Sequence, residues 1–307
     1  MKPITLFSGT TGLNTVDDPV RIPFDSRTGV GGLAMAVNVT VKRSGRIGRR
    51  KGYSKIAEGS FHSLYGDRNE AYVVSDRSDD SAIYMIESDL SLRGVRSGLT
   101  KGNRVSYAKH PKGRIYYSNG SENGYLWGGK SFPWILGEYF GPNTTREFFD
   151  PPKGQHITFG LGRMFIAKDN VVYWSEPFRE DLYDMARNFW QFGSCVRMVR
   201  TVAGGVFISD EESIYFMNGT SPSEAVQVQM APYPALEWSD CHDMINAEDI
   251  GLEAQGPCLL FVSTEGLCVG LPSGQLVNIN RSQVIYPENI KEGASLLRGM
   301  NLIHTMR

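Results

Sequence analysis

The strongest constraint on this 307-residue chain is a unit that recurs along it. Five segments share one pattern, an apolar strand, a polar turn and a second apolar strand. They are AYVVSDRSDDSAIYMIE (71–87), RIYYSNGSENGYLWGG (114–129), RMFIAKDNVVYWSEP (163–177), GVFISDEESIYFMNG (205–219) and LLFVSTEGLCVGLPSG (259–274). Each reads as a β-hairpin, with short apolar runs around Ser, Asp, Asn, Gly or Glu. Each follows another short strand candidate: FHSLYG, VSYAKH, HITFGLG, VRMVRT and GLEAQ in turn. The third residues of the hairpins, Val73, Tyr116, Phe165, Phe207 and Phe261, are separated by 43, 49, 42 and 54 residues. Four-stranded propeller blades repeat at about 40–50 residues. The expected fold is therefore all-β, a six-bladed β-propeller whose last blade is closed by N- and C-terminal strands.

In this reading the sixth blade is composite. ASLLRGMNLIHTMR (294–307) supplies two strands and a turn at Gly299, and the sequence then ends. VNVTVKRSGRIGRRKGY (37–53) supplies the other two, with Val37, Val39 and Val41 on one face, a turn at Ser44-Gly45 and a return towards Tyr53. Joining both ends in one sheet would remove free edges. Residues 1–34 are expected to form an extended arm. Residues 35–307 are expected to form a single propeller domain with long inter-blade loops near 138–155, 178–192 and 219–255. The segment 178–192 has room for one short helix.

Charge narrows the function classes. With 32 Lys and Arg against 33 Asp and Glu, the whole chain is not a polyanion binder. The run 37–53 is a local exception, with six Lys or Arg among seventeen residues and no acid. The cysteines Cys195, Cys241, Cys258 and Cys268 match no zinc spacing and are expected as free thiols. No apolar stretch approaches the roughly 18 residues of a membrane helix, and the first residues do not resemble a signal peptide. A soluble protein without a membrane anchor is expected.

Chemistry-bearing motifs are sparse. The histidines His62, His110, His156, His242 and His304 are scattered over different repeats. Asp240-Cys241-His242-Asp243 is the most catalytic-looking string, yet adjacent residues on an extended chain point apart. Asp76, Asp79 and Asp80 lack the calcium-loop pattern, and Gly29-Val30-Gly31-Gly32 lacks that of a phosphate loop. Neither G-x-S-x-G nor H-E-x-x-H occurs. No catalytic residue, metal ligand or cofactor is expected, and the chain is expected not to be an enzyme. Exposed aromatic and basic residues are the better candidates, as interface anchors: Arg21, Phe24, Arg46, Arg49, Arg50, Tyr139, Phe140, Phe148, Phe149 and Trp190.

The run 38–53, NVTVKRSGRIGRRKGY, resembles an N-terminal signature of tailed-bacteriophage virion proteins. There an Asn-containing strand leads through a Gly turn to an Arg-rich strand ending in Gly-Tyr or Gly-Phe. The stretches 205–219 and 266–274, the latter followed by Val277-Asn278-Ile279-Asn280, are similar to the same group. The nearest role is the propeller of tail hub, nozzle or packaged-DNA stabilisation proteins. The resemblance implies a non-enzymatic structural component of the head-to-tail connector or tail, made in the host bacterial cytoplasm and located in the virion. It implies a homo-oligomeric ring with portal, adaptor or tail proteins as partners, and proximity to DNA in the tail lumen. The alternative is a carbohydrate-binding or glycan-processing propeller that recognises the host surface. Asp, Glu, Arg or Tyr side chains converging on the central axis from several blades would distinguish it.

Overall fold

A computed structural model describes residues 8–42, 44–142, 145–299 and 301–307. The chain divides into two compact units. One comprises 1–56, 265–267 and 278–289; the other comprises 57–264, 268–277 and 290–307. The first break falls near 56.

The larger unit carries the repeat. Blade A is built from Ser60–Gly66, Ala71–Asp76, Ser81–Ile86 and Leu92–Leu99, and blade B from Ser106–Lys109, Ile115–Ser118, Asn123–Trp127 and Lys130–Phe132. Blade C uses His156–Gly160, Arg163–Lys168, Val171–Trp174 and Phe189–Gln191. Blade D uses Met198–Val202, Gly205–Ser209, Ile214–Asn218 and Val226–Ala231. Blade E uses Ile245–Asn246, Pro257–Ser263, Gly266–Gly270 and Leu276–Asn278. Each is a four-stranded sheet in simple sequence order, the meander of a propeller-type fold. Gly293–Arg298 and Asn301–Met306 follow as a two-stranded sheet.

Strand alternation explains why the apolar runs are unbroken. Successive side chains point to opposite faces of a strand, and each inner blade has a neighbour on both faces. In blade B, Ile115 and Tyr117 pack with blade A, whereas Tyr116 packs with blade C. In blade C, Met164 and Ile166 face blade B, while Phe165 and Ala167 face blade D. Blade D sends Val206 and Ile208 one way and Phe207 the other. Blade E sends Phe261 to blade D, while Leu260 joins a core with Leu297 and Leu302 of the two-stranded sheet. A buried strand between two cores loses the polar face that an exposed strand would show.

The smaller unit holds a three-stranded sheet of Gly9–Leu13, Val30–Leu33 and Phe24–Asp25, and a hairpin of Val39–Val41 with Ile47–Arg49. The expected arm is thus partly a sheet. The expected closure is not among the strand pairings: the 39–49 hairpin and the 293–306 pair are separate two-stranded sheets. Six complete four-stranded blades are therefore not formed among the described residues. The hairpin has only three paired rungs and leaves Val37, Val41 and Ile47 exposed, so it buries little of its apolar face.

Two other expectations are corrected. No helix forms in 178–192, because Leu182, Tyr183 and Asp184 are buried in succession and Tyr183 bridges to Phe149; a helix would turn one of the three away. The first strand of blade E is not GLEAQ but lies earlier, within 235–246. The segment 219–255 includes the strands Val226–Ala231 and Ile245–Asn246, with irregular backbone and short 3-10 turns between and beside them.

Phe207 tests the shared-core arrangement, being fully buried and 4.8 Å from Phe216 between ring centroids. Phe207→Ala is expected to cost about 3–5 kcal/mol and lower Tm by roughly 10 °C. Calorimetry showing a shift below about 2 °C would contradict that packing.

Candidate functional site

The first strands of blades A to D, the 238–242 segment and the two-stranded sheet together line a cavity of about 260 Å³. Every residue around it belongs to the larger unit. The site is shaped by an irregularity in the first strand of blade E. Leu236 N–H donates to Val262 O at 2.8 Å, and Cys241 N–H donates to Leu260 O at 2.8 Å. Between those rungs this strand advances five residues while its partner advances two. The excess is expelled as a bulge.

Two sets of bonds hold the bulge. The Ser239 hydroxyl donates to Val262 O at 2.8 Å and accepts Val262 N–H at 3.1 Å, standing in for missing backbone rungs. On the other side, Gly293 N–H donates to Glu237 O at 2.8 Å and Glu237 N–H to Lys291 O at 3.2 Å. Trp238, at the crest, has φ +64°. A bulky residue in left-handed backbone costs on the order of 1–3 kcal/mol and persists only where its surroundings impose it.

The bulge delivers chemistry to the cavity. Arg200 Nε donates to Asp240 Oδ2. Burial alone would push the Asp240 carboxyl up, but the Arg200 charge and hydrogen bond hold it below the usual carboxylate value. His156 Nε2 lies 3.2 Å from Glu237 Oε1, and its ring centroid is 4.3 Å from that of Trp238. Burial pushes the Glu237 carboxyl up, yet the bond from His156 brings it net below its ordinary value. Arg104 Nη1 donates to Gly293 O at 2.8 Å, and its guanidinium carbon sits 5.9 Å from the centre of the Trp238 ring. Among the described residues Arg104 has no carboxylate within ion-pair distance. Ser63, at φ +51° in a bulge of blade A, accepts the Val105 N–H at 2.8 Å. Arg104 and Trp238 also line a wider concavity of about 740 Å³ with His62, Asp76 and Asn103.

The string 240–243 splits as extended geometry demands. Asp240 faces Arg200, whereas Cys241 turns into the core with Ile245 and Cys258, where burial pushes its thiol up to about 12. His242 turns back to the cavity, its ring 4.7 Å from that of Tyr65. It is solvent-accessible through the cavity yet deep among protein atoms. That burial, with the Arg200 charge, lowers its pKa from the usual 6.5 to about 3.

The sequence-derived candidates lie elsewhere. Arg21, Phe24, Arg46, Arg49 and Arg50 are exposed on the smaller unit. Tyr139, Phe140 and Phe149 are exposed on the larger one, with Phe140 at 81%. Phe148 is half-buried, 4.9 Å from Tyr139 and 5.0 Å from the Arg146 guanidinium. Trp190 is drawn into packing: it stacks on Phe165 at 5.7 Å, and its Nε1 donates to Pro222 O at 3.1 Å. Sequence reasoning missed Arg104, His156, Arg200 and Trp238 as a group. The signal available was positional, since each lies in or beside the first strand of a different repeat.

No family model and no curated protein matches this sequence. Solved structures do match. One is a gluconolactonase from Xanthomonas campestris, at 11% identity over 73% of this chain and 75% of that one, with a TM-score of 0.45. Another is a candidate 6-phosphogluconolactonase from Bacteroides uniformis, at 11% identity over 86% and 77%, with a TM-score of 0.46. A third is a catalytically inactive virginiamycin B lyase from Staphylococcus aureus with quinupristin, at 13% identity over 100% and 94%, with a TM-score of 0.44. The propeller-type assignment rests on the sheets themselves. The expectation that the chain is not an enzyme is corrected by these matches, which include lactonases.

His242 gives a pH test. Its folded pKa lies below the unfolded value, so the unfolded chain takes up the proton first as pH falls. The stability tied to the neutral imidazole is present above about pH 6.5 and is lost progressively towards pH 3. His242→Gln is expected to flatten the fall of Tm between pH 6.5 and 4, measured by scanning fluorimetry. Parallel curves for the two proteins would show that His242 is not the group responsible.

Proposed function

We propose that the axial cavity binds a small carbohydrate, so that the protein is a carbohydrate-binding or glycan-processing propeller. The bulge at 237–240 carries this reading. It sets a strained Trp238 beside Arg104, His156 and the Arg200–Asp240 pair, drawing side chains from the first strands of several blades. A sugar ring needs this mixture, an apolar surface for its C–H faces and fixed donors and acceptors for its hydroxyls. A volume of about 260 Å³ suits a ligand below drug size. The strain at Trp238 supports a functional rather than a merely space-filling role.

Thermal-shift and tryptophan-fluorescence titrations against neutral, amino and acidic monosaccharides test the proposal. A ligand at about 100 times its Kd is expected to stabilise the fold by about 2.7 kcal/mol. Trp238→Ala is expected to weaken binding about two- to tenfold, in keeping with one lost stacking contact. NMR of the same mixtures reads whether the sugar is altered. Absence of any shift across the panel and across a host-glycan array would sink the reading.

A second reading, compatible with the first, is that the chain assembles into a tailed-phage virion as a ring. It is supported by the resemblance of 38–53 and by the apolar groups left uncovered on the smaller unit, where Val20 is 92% exposed, Met35 75% and Val37 67%. Co-purification with intact virions is expected. A monomer absent from virions would remove it.

A further inference from the structure

We propose that the basic hairpin of the smaller unit is a binding site for single-stranded nucleic acid, independent of the axial cavity. Three structural observations carry it. First, charge is concentrated against the interest of local folding. Lys42 and Arg46 face each other at the turn end, where Lys42 N–H donates to Arg46 O at 2.9 Å. Like charges directly opposite across a strand pair are destabilising, and an anionic partner would relieve them. Among the described residues, Arg46, Arg49, Arg50 and Lys51 form no ion pair. The cationic groups are therefore not already neutralised by this chain.

Second, the charge lies along a concave surface. Asn38, Arg49, Arg50, Lys51, Gly52 and Tyr53 line a depression of about 490 Å³. The Arg50 N–H donates to Asn38 O at 2.9 Å, and Asn38 has φ +54°, which fixes the backbone at its edge. A groove with several cations in succession tracks a phosphate backbone better than a point anion.

Third, the fold adds an aromatic group that the sequence run from 42 to 52 lacks. The Arg50 guanidinium lies 4.9 Å from the ring centre of Tyr53, and that ring remains 66% exposed. Bases stack on such rings whatever their identity, and a stacked arginine strengthens the platform. A duplex hides its base faces, so the exposed ring favours a single strand. A membrane surface would use the charges but leave the groove and ring without a role.

The test uses the full-length protein and fluorescence anisotropy with a labelled oligo-dT of about 20 nucleotides, a duplex of equal length, and anionic phosphatidylserine vesicles. With three or four phosphates engaged, log affinity is expected to fall against log salt with a slope of about −2 to −3. Replacing Arg49, Arg50 and Lys51 together by Gln should weaken binding at ~50 mM salt at least about tenfold and reduce the slope by about 2. Tyr53→Ala should weaken single-strand binding about fivefold or more with little change in slope. All these residues are exposed, and unchanged Tm values confirm that the variants fold. The proposal is overturned if the oligonucleotide does not bind at low salt, if the triple variant binds equally well, or if the duplex binds as tightly. Vesicle binding without oligonucleotide binding likewise overturns it. Loss of sugar binding alone would leave it intact.

Discussion

The larger unit depends on one constraint: each strand must satisfy two hydrophobic cores at once. Phe165 and Ile166 are neighbours in sequence, but they serve different blade interfaces. So do Tyr116 and Tyr117, Phe207 and Ile208, and Leu260 and Phe261. A slip of one residue in register would exchange the two sets and misfit both cores together. Fixing the second strand of each blade in this way also fixes where its first strand runs. The cavity is therefore a by-product of core packing, before any residue in it is considered.

Function enters where that regularity breaks. Blades B, C and D have clean first strands and each offers one or two polar groups to the cavity. Blade E has the bulge, and the bulge gives the site its asymmetry. Ser239 shows how the break is tolerated. Its hydroxyl bonds both polar groups of Val262, so buried backbone is not left orphaned. The strain at Trp238 is then supported on one side by Ser239 and on the other by the strand starting at Gly293. The Arg200–Asp240 ion pair and the His156–Glu237 hydrogen bond connect the bulge to blades D and C and orient the groups that face the cavity.

Much of the fold was legible in the sequence because the repeat is carried by runs such as RMFIAK and GVFIS, whose burial on both faces leaves no polar interruption. The site was less legible for the same reason. Arg104, His156, Arg200 and Trp238 are far apart in sequence, and only the packing of successive first strands brings them together. The bulge disguised its own strand: Glu237-Trp238-Ser239-Asp240 reads as loop because three surplus residues destroy the period of two. The composite sixth blade was inferred from complementarity between the two chain ends, a pattern that sets no register. The short rungs of Val39–Arg49 and its exposed valines are not visible in alternation alone. Tyr53 shows the converse, a residue placed beside Arg50 by backbone geometry that spacing did not suggest.

The terminal two-stranded sheet has a consequence for cooperativity. Blades B, C and D each share a buried core with two neighbours, whereas blade A shares one, with blade B, and the sheet at 293–306 shares one, with blade E. In a row of units coupled only to nearest neighbours, an end unit held by a single interface opens first and at the lowest free energy. That sheet also lines the cavity through Ser295, Leu296 and Ile303 and braces Trp238 through Gly293. Its detachment would unseal the cavity and release the strained backbone while the four other inter-blade cores stayed closed. The amides of this sheet should therefore exchange with solvent sooner than those of blades B to D.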